Sequence, residues 1–309
     1  MTTVATAVAG APPTPAEHRP TDELSLLPGV NVLVMGPTGT GKTTSLGTIA
    51  DAGLELYCLF TENGQETLMG YWTDRGLPVP PNVYWHNLPR GDAGFGLLAD
   101  SANKVNTYSM DALFKMTDPD RAKSNQFVTL LRALSDFPDD RTGRKFGSVD
   151  KWGPNRVLAI DSLTGINPIA MSLVVGNKPL KDQRDWGIAQ DQIEKLIRQC
   201  CDGAKCHFVL TAHVEREVDQ VQGGVKLMVS TLGVKLAPKL PPMFSDVILS
   251  SRQGTTFSWS TANPMADLKA RNIPIADGIK PDFKQIFDKW CSRGGRFTDK
   301  VKVGPSPPY

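Results

Sequence analysis

The residues Gly36-Pro37-Thr38-Gly39-Thr40-Gly41-Lys42-Thr43 carry the spacing G-x-x-x-x-G-K-[ST]. Such a string does chemistry on phosphates. Its glycines let the backbone turn tightly and aim successive N–H groups inward, and a helix opening behind the loop adds positive potential. Here it follows the apolar run Asn31–Met35 and precedes an amphipathic stretch, the strand-then-helix context that the motif requires. Lys42 is expected to reach the β- and γ-phosphates of a nucleotide and Thr43 to bind Mg²⁺, with Thr44 completing the loop's lining.

A metal held this way needs a second acidic partner at the end of another apolar strand, and Val157-Leu158-Ala159-Ile160-Asp161 supplies it. Asp161 is expected to hold the water shell of the Mg²⁺. The next residue is Ser162 rather than a glutamate, so a catalytic base must come from elsewhere. The run Cys58-Leu59-Phe60-Thr61-Glu62 brings a carboxylate out at the carboxyl edge of a parallel sheet, where such folds collect their ligands. Glu62 could orient and deprotonate an attacking water; the alternative is a solvated loop acid or a helix cap.

The elements that position these residues follow from patterning. Short β-branched or aromatic runs alternate with longer amphipathic stretches, which predicts an α/β fold with a mainly parallel central sheet flanked by helices. Strands are expected at Asn31–Met35, Glu55–Phe60, 157–161, His207–Ala212 and 246–249, with Thr256–Ser260 as a β extension at the edge. Helices are expected at 42–52, 65–75, 126–137, 184–201 and 282–290. In the fourth of these, Trp186, Ile193, Leu196, Ile197 and Cys200 fall on one apolar face. Residues 85–155 are polar and weakly periodic around one good helix, longer than a simple crossover requires, and read as an insertion or lid. Residues 1–20 read as a flexible arm, 21–298 as a single domain and 299–309 as a tail.

Composition excludes several classes. With 309 residues, 40% hydrophobic and 21% charged, the chain can bury a full core, which excludes a disordered or fibrous protein. A net charge of +2 means that any nucleic-acid surface must come from local clustering. No apolar run approaches the roughly 20 residues of a membrane span, and no secretory signal pattern opens the chain, so a cytoplasmic location is expected. The cysteines Cys58, Cys200, Cys201, Cys206 and Cys291 lack metal-ligand spacing and read as buried free thiols.

Taken together, the sequence resembles the RecA-like recombinase core, and within it the short RecA-like ATPases of bacteriophages, AAA-type nucleotide-binding proteins associated with single-strand annealing and recombination. The resemblance is carried by the loop ending at Thr43, by Glu62, by Ala159-Ile160-Asp161-Ser162-Leu163-Thr164, and by Thr211-Ala212-His213. It implies ATP and Mg²⁺ as cofactors and activity in phage DNA recombination, repair or replication, in the host cytoplasm. His213 matches the family's γ-phosphate sensor, with Thr211 a weaker candidate; a histidine satisfied by backbone is the alternative. Single-stranded DNA would be met by the stretches 163–185 and 214–244. The first holds Lys178, Lys181 and Arg184; the second holds Arg216, Lys226, Lys235 and Lys239. Both could also be ordinary solvated loops. Lys269-Ala270-Arg271 resembles the Lys-x-Arg element inserted into a neighbouring subunit's nucleotide, implying a homo-oligomer; two surface cations are the alternative. The rival functions are a ring helicase or translocase motor and a nucleotide-switched partner-binding module.

Overall fold

The computed structural model describes residues 27–89, 95–116, 125–176, 178, 180–218 and 223–297; the expected arm at 1–20 and tail at 299–309 lie outside them. In chain order the strands are β1 (Asn31–Met35), β2 (Glu55–Phe60), β3 (Val83–Asn87), β4 (Arg156–Asp161), β5 (His207–Ala212), β6 (Val214–Val218), β7 (Val225–Val229), β8 (Asp246–Gln253), β9 (Thr256–Ser260) and β10 (Lys269–Ala270). The helices are α1 (Lys42–Ser45), α2 (Gly47–Asp51), α3 (Gln65–Thr73), α4 (Phe95–Thr107), α5 (Met110–Lys115), α6 (Gln126–Ser135), α7 (Leu163–Val175), α8 (Gln183–Arg198) and α9 (Lys284–Ser292).

The sheet runs β10-β8-β1-β5-β4-β2-β3, with β9 also pairing β8. The pairs β3/β2, β2/β4, β4/β5, β5/β1 and β1/β8 are parallel, and β9 and β10 run antiparallel along β8. This is the expected mixed α/β class with its edge extension. Strands buried along their whole length, such as β5, suit a sheet covered on both faces. Alternation along each strand divides the core. Leu33, Tyr57, Leu158 and Phe208 join α6, α7 and α8 on one face; Val32, Leu56, Val157 and Val209 join α2, α3 and α9 on the other.

Several elements depart from expectation. The segment expected as an insertion from residue 85 begins inside β3, the edge strand beside β2. Its V-Y-W-H-N sequence is too short and too mixed to signal a strand; what holds it is tertiary. Asp139 accepts the Trp85 N–H at 3.0 Å, Asp140 accepts the Asn87 N–H at 2.7 Å, and Arg141 donates to the carbonyls of Val79 and Pro80. These contacts cover an edge that would otherwise be open to pairing. In α8, Ile193, Leu196 and Ile197 are buried as expected, but Trp186 is 38% exposed because it sits in the first turn, before the helix meets the core. Cys58, Cys200, Cys201 and Cys206 are buried free thiols and Cys291 is partly so; burial pushes the Cys206 thiol up to about 12. Among the described residues, no helix is long and apolar enough to cross a membrane.

Candidate nucleotide-binding site

The phosphate loop leaves the carboxyl end of β1, and its path requires glycine. Gly39 and Gly41 have φ of 74° and 82°, and a Cβ on Gly36 would run into the Ser250 carbonyl of β8. The loop is tied down on both sides: Gly36 N–H donates to the Ala212 carbonyl at 3.1 Å, and Ser250 Oγ donates to the Thr40 carbonyl at 2.7 Å. Lys42 is only 7% exposed, and its Nζ donates to the carbonyls of Gly36 at 2.9 Å and Pro37 at 2.8 Å. Burial pulls its amine down to about 8, partly offset by the carboxylates of Asp161 and Glu62.

One residue further on, Thr43 Oγ1 donates to Asp161 Oδ2 at 2.8 Å. The other carboxylate oxygen, Oδ1, accepts the hydroxyl of fully buried Thr211. Burial raises the Asp161 carboxyl above its usual range, and the two threonine hydrogen bonds oppose that rise. Thr211 is thereby turned to Asp161 rather than into the cavity.

Parallel pairing of β2 with β4 sets Phe60 opposite Asp161, so the two strands release Thr61-Glu62 and Ser162 side by side. Thr61 N–H donates to the Asp161 carbonyl at 2.9 Å, Thr61 Oγ1 donates to the Ser162 carbonyl at 2.7 Å and accepts the Ser162 N–H at 2.9 Å. The peptide between Asp161 and Ser162 is cis. Ser162 Oγ then donates to Glu62 Oε2 at 2.8 Å. His213, just past β5, has Nδ1 3.4 Å from Thr38 Oγ1 and Nε2 3.9 Å from Glu62 Oε2. Burial, then the nearby Lys42 charge, lower its pKa, so the ring is neutral at pH 7.

These groups line one cavity of about 450 Å³, reached by Thr38 to Thr44, Glu62, Asp161, Ser162 and His213. Residues that the sequence reading did not assign complete its wall. Phe257 of β9 packs its ring against Gly41, and the Arg252 guanidinium lies 5.5 Å from the Phe257 ring centre. No local signal marks either of them; the β1/β8 pairing brings their hairpin to the loop. No described residue between 85 and 155 lines the cavity.

The donors fit a small hard cation: a hydroxyl and a carboxylate, both oxygen, already within hydrogen-bond distance of each other. Among the described residues there is no cluster of three or more His, Cys, Asp or Glu that would favour a different metal.

Lys269 and Arg271 do not join this site. β10 pairs with the amino end of β8 at Asp246 and Val247, away from the carboxyl edge that carries the phosphate loop. Lys269 Nζ donates to the Phe244 carbonyl at 2.6 Å, whereas Arg271 is exposed.

The stretches expected to face DNA differ from expectation in opposite ways. Residues 163–175 form α7, whose Leu163, Ile166, Ile169, Ala170, Met171 and Val175 are buried, so this part of the first stretch is core rather than loop, while Lys181 and Arg184, beyond it, are exposed. Its apolar content outweighs the few cations that follow it, and Lys178 there lies 3.8 Å from Asp185. The second stretch forms the antiparallel hairpin β6–β7, most of whose β6 is exposed. Lys226 pairs with Asp267 and Lys239 with Glu194, while Arg216 and Lys235 form no ion pair among the described residues. Glu215 and Glu217 on β6 offset part of this positive charge, and Asp219, a third acid of the stretch, lies outside the described residues.

No protein-family model matches the chain, and no curated protein matches it. Among solved structures, the RadB recombinase is similar over 82% of this chain and 86% of its own, at 13% identity and a TM-score of 0.37. The flagellar accessory protein FlaH from Methanocaldococcus jannaschii is similar over 76% of this chain and 77% of its own, at 11% identity and a TM-score of 0.29. Neither likeness carries an argument about chemistry, which rests on the cavity's own residues.

Proposed function

We propose that this protein is a RecA-like, Mg²⁺-dependent ATPase, stimulated by single-stranded DNA and acting as a homo-oligomer in phage DNA recombination, repair or replication. The observation that carries the reading is the Thr43–Asp161 hydrogen bond lying beside Glu62 within the cavity closed by the phosphate loop. Lys42 exchanges its bonds to the Gly36 and Pro37 carbonyls for β- and γ-phosphate oxygens, a swap of acceptors that leaves its amine hydrogen-bonded throughout. Thr43 and Asp161 hold the Mg²⁺, which when bound neutralises charge on the phosphate oxygens. Glu62 takes the proton of the attacking water, and neutral His213 donates toward the γ-phosphate. Phe257, packed against Gly41, and Arg252 beside it flank the nucleotide in the same cavity.

For DNA, support comes from placement. The β6–β7 hairpin continues directly from β5 through His213, so the residue facing the γ-phosphate is the root of the exposed hairpin. Arg271, exposed at the far edge, reaches the nucleotide of a neighbouring subunit, joined by Lys269 once it leaves the Phe244 carbonyl. A second reading, a nucleotide-switched partner module, draws on one observation: α4, α5 and the link between them expose Phe95, Leu98, Tyr108, Met110 and Phe114.

The test is steady-state ATP hydrolysis with and without single-stranded DNA across protein and salt concentrations. Stimulation by DNA that weakens with salt, rate per subunit rising with protein concentration, and a loss of at least about 100-fold in Glu62→Gln are expected. Slow turnover indifferent to DNA and to concentration would favour the partner module, and full activity in Glu62→Gln would remove the assigned base.

A further inference from the structure

Ser162 stands at the N-cap position of α7, where a serine ordinarily turns its hydroxyl back to accept a backbone N–H of the first helical turn. Here it makes no such cap. Its hydroxyl points the other way and donates to Glu62 Oε2 at 2.8 Å. A local rule is broken, and breaks of this kind concentrate where function competes with local stability.

Glu62 needs an outside anchor. Its side chain is 41% exposed, so packing does not select its rotamer, and His213 Nε2 lies beyond hydrogen-bond reach at 3.9 Å. Ser162, by contrast, is 2% exposed and locked by the reciprocal pair with Thr61. Gly165 extends the logic: a Cβ there would collide with Thr61 Oγ1, so the glycine keeps open the space in which Thr61 grips Ser162.

We infer that Ser162 is a positioning residue for Glu62, holding the carboxylate in register with Asp161 through the Thr61–Ser162 clamp. The inference rests on the reading of Glu62 as the base in ATP hydrolysis. Because Ser162 directly follows Asp161, the groups proposed to hold Mg²⁺ and to activate water are set by neighbouring residues of one strand end.

The experiment is single-turnover and steady-state ATP hydrolysis by Ser162→Ala, Ser162→Cys, Ser162→Thr, Glu62→Gln and the double variant Ser162→Ala/Glu62→Gln, with thermal unfolding of each. A misplaced base is expected to lower kcat by about 10- to 100-fold in Ser162→Ala, with KM within about twofold of wild type. An unused cap predicts an unchanged unfolding midpoint for that variant. Ser162→Thr, which keeps a hydroxyl, should recover most of the loss, and Ser162→Cys, a weak donor close in shape, should not. In the Glu62→Gln background, Ser162→Ala should cost less than about twofold more.

Wild-type kcat in Ser162→Ala or Ser162→Cys, with Glu62→Gln inactive, overturns the positioning role alone. Losses that multiply in the double variant overturn it too, since Ser162 would then act without Glu62. An active Glu62→Gln overturns the assignment of the base and this inference with it. Should Ser162→Ala fail to fold, Ser162→Cys and the corresponding double variant decide by the same criteria.

Discussion

The segments that follow β4 and β5 leave the same edge of the same sheet and meet opposite fates. After β4 the chain turns at once into α7 and disappears into the core, with Ile166 fully buried under the sheet. After β5 it rises into a hairpin whose Glu215, Arg216, Glu217 and Val218 are all exposed. The difference lies in composition: L-T-G-I-N-P-I-A-M-S-L-V-V is apolar on nearly every side, and V-E-R-E-V is not. It teaches that the sheet's carboxyl edge is divided between a closed floor, where charges are buried and hydrogen-bonded, and an open wing whose charges face solvent. The floor should answer to packing and pH, and the wing to salt.

The largest expected effect tests the floor. Ile166→Ala removes a fully buried side chain between α7 and the sheet and should cost about 2–5 kcal/mol of stability, measured by denaturant unfolding. Val218→Ala on the hairpin, 67% exposed, should change stability by no more than about 0.5 kcal/mol. Equal costs would mean that α7 is not core and the division is false.

Next comes pH. Lys42 in the folded chain titrates at about 8 against its ordinary 10.5. Between those values the unfolded chain binds the proton that the folded chain has lost, so this lysine's unfavourable contribution to stability, full below about pH 8, is relieved as pH rises toward 10.5. Phosphate, however, needs the ammonium. Affinity for a fluorescent ATP analogue should therefore weaken by roughly tenfold per unit above pH 8, with protons taken up on binding, as isothermal titration in two buffers would show. A flat affinity from pH 7 to 9.5 would place Lys42 outside the phosphate contacts.

The smallest effect belongs to the wing. Replacing Arg216 and Lys235 with alanine should weaken single-strand binding a few-fold each and lower its salt slope by about one unit per cation, leaving DNA-free turnover unchanged. Lys178→Ala, in the link behind α7, should leave both readouts unmoved; a matching loss there would restore the segment after β4 as a DNA contact.

Legibility followed chain distance. The phosphate loop is readable because eight adjacent residues, Gly36 to Thr43, carry its geometry, including the positive φ that only glycine takes without strain at 39 and 41. The strand ends bearing Glu62 and Asp161 are readable because buried parallel strands announce themselves as apolar runs. β3 was not legible, since a five-residue edge strand with Trp85, His86 and Asn87 is held by Asp139 and Asp140, more than fifty residues away. Nor was α7, because an expectation of a loop after β4 displaced its own apolar content.

The sequence by itself determined the α/β class, the loop and the acids opposite it, all properties of contiguous residues and of their period. Tertiary structure alone decided that Ser162 turns from its helix to Glu62, that Thr211 faces Asp161, and that Phe257 and Arg252 close the cavity wall. Those contacts depend on which strands pair and in what register, and pairing is settled by burial summed over the whole sheet rather than by any local run of residues.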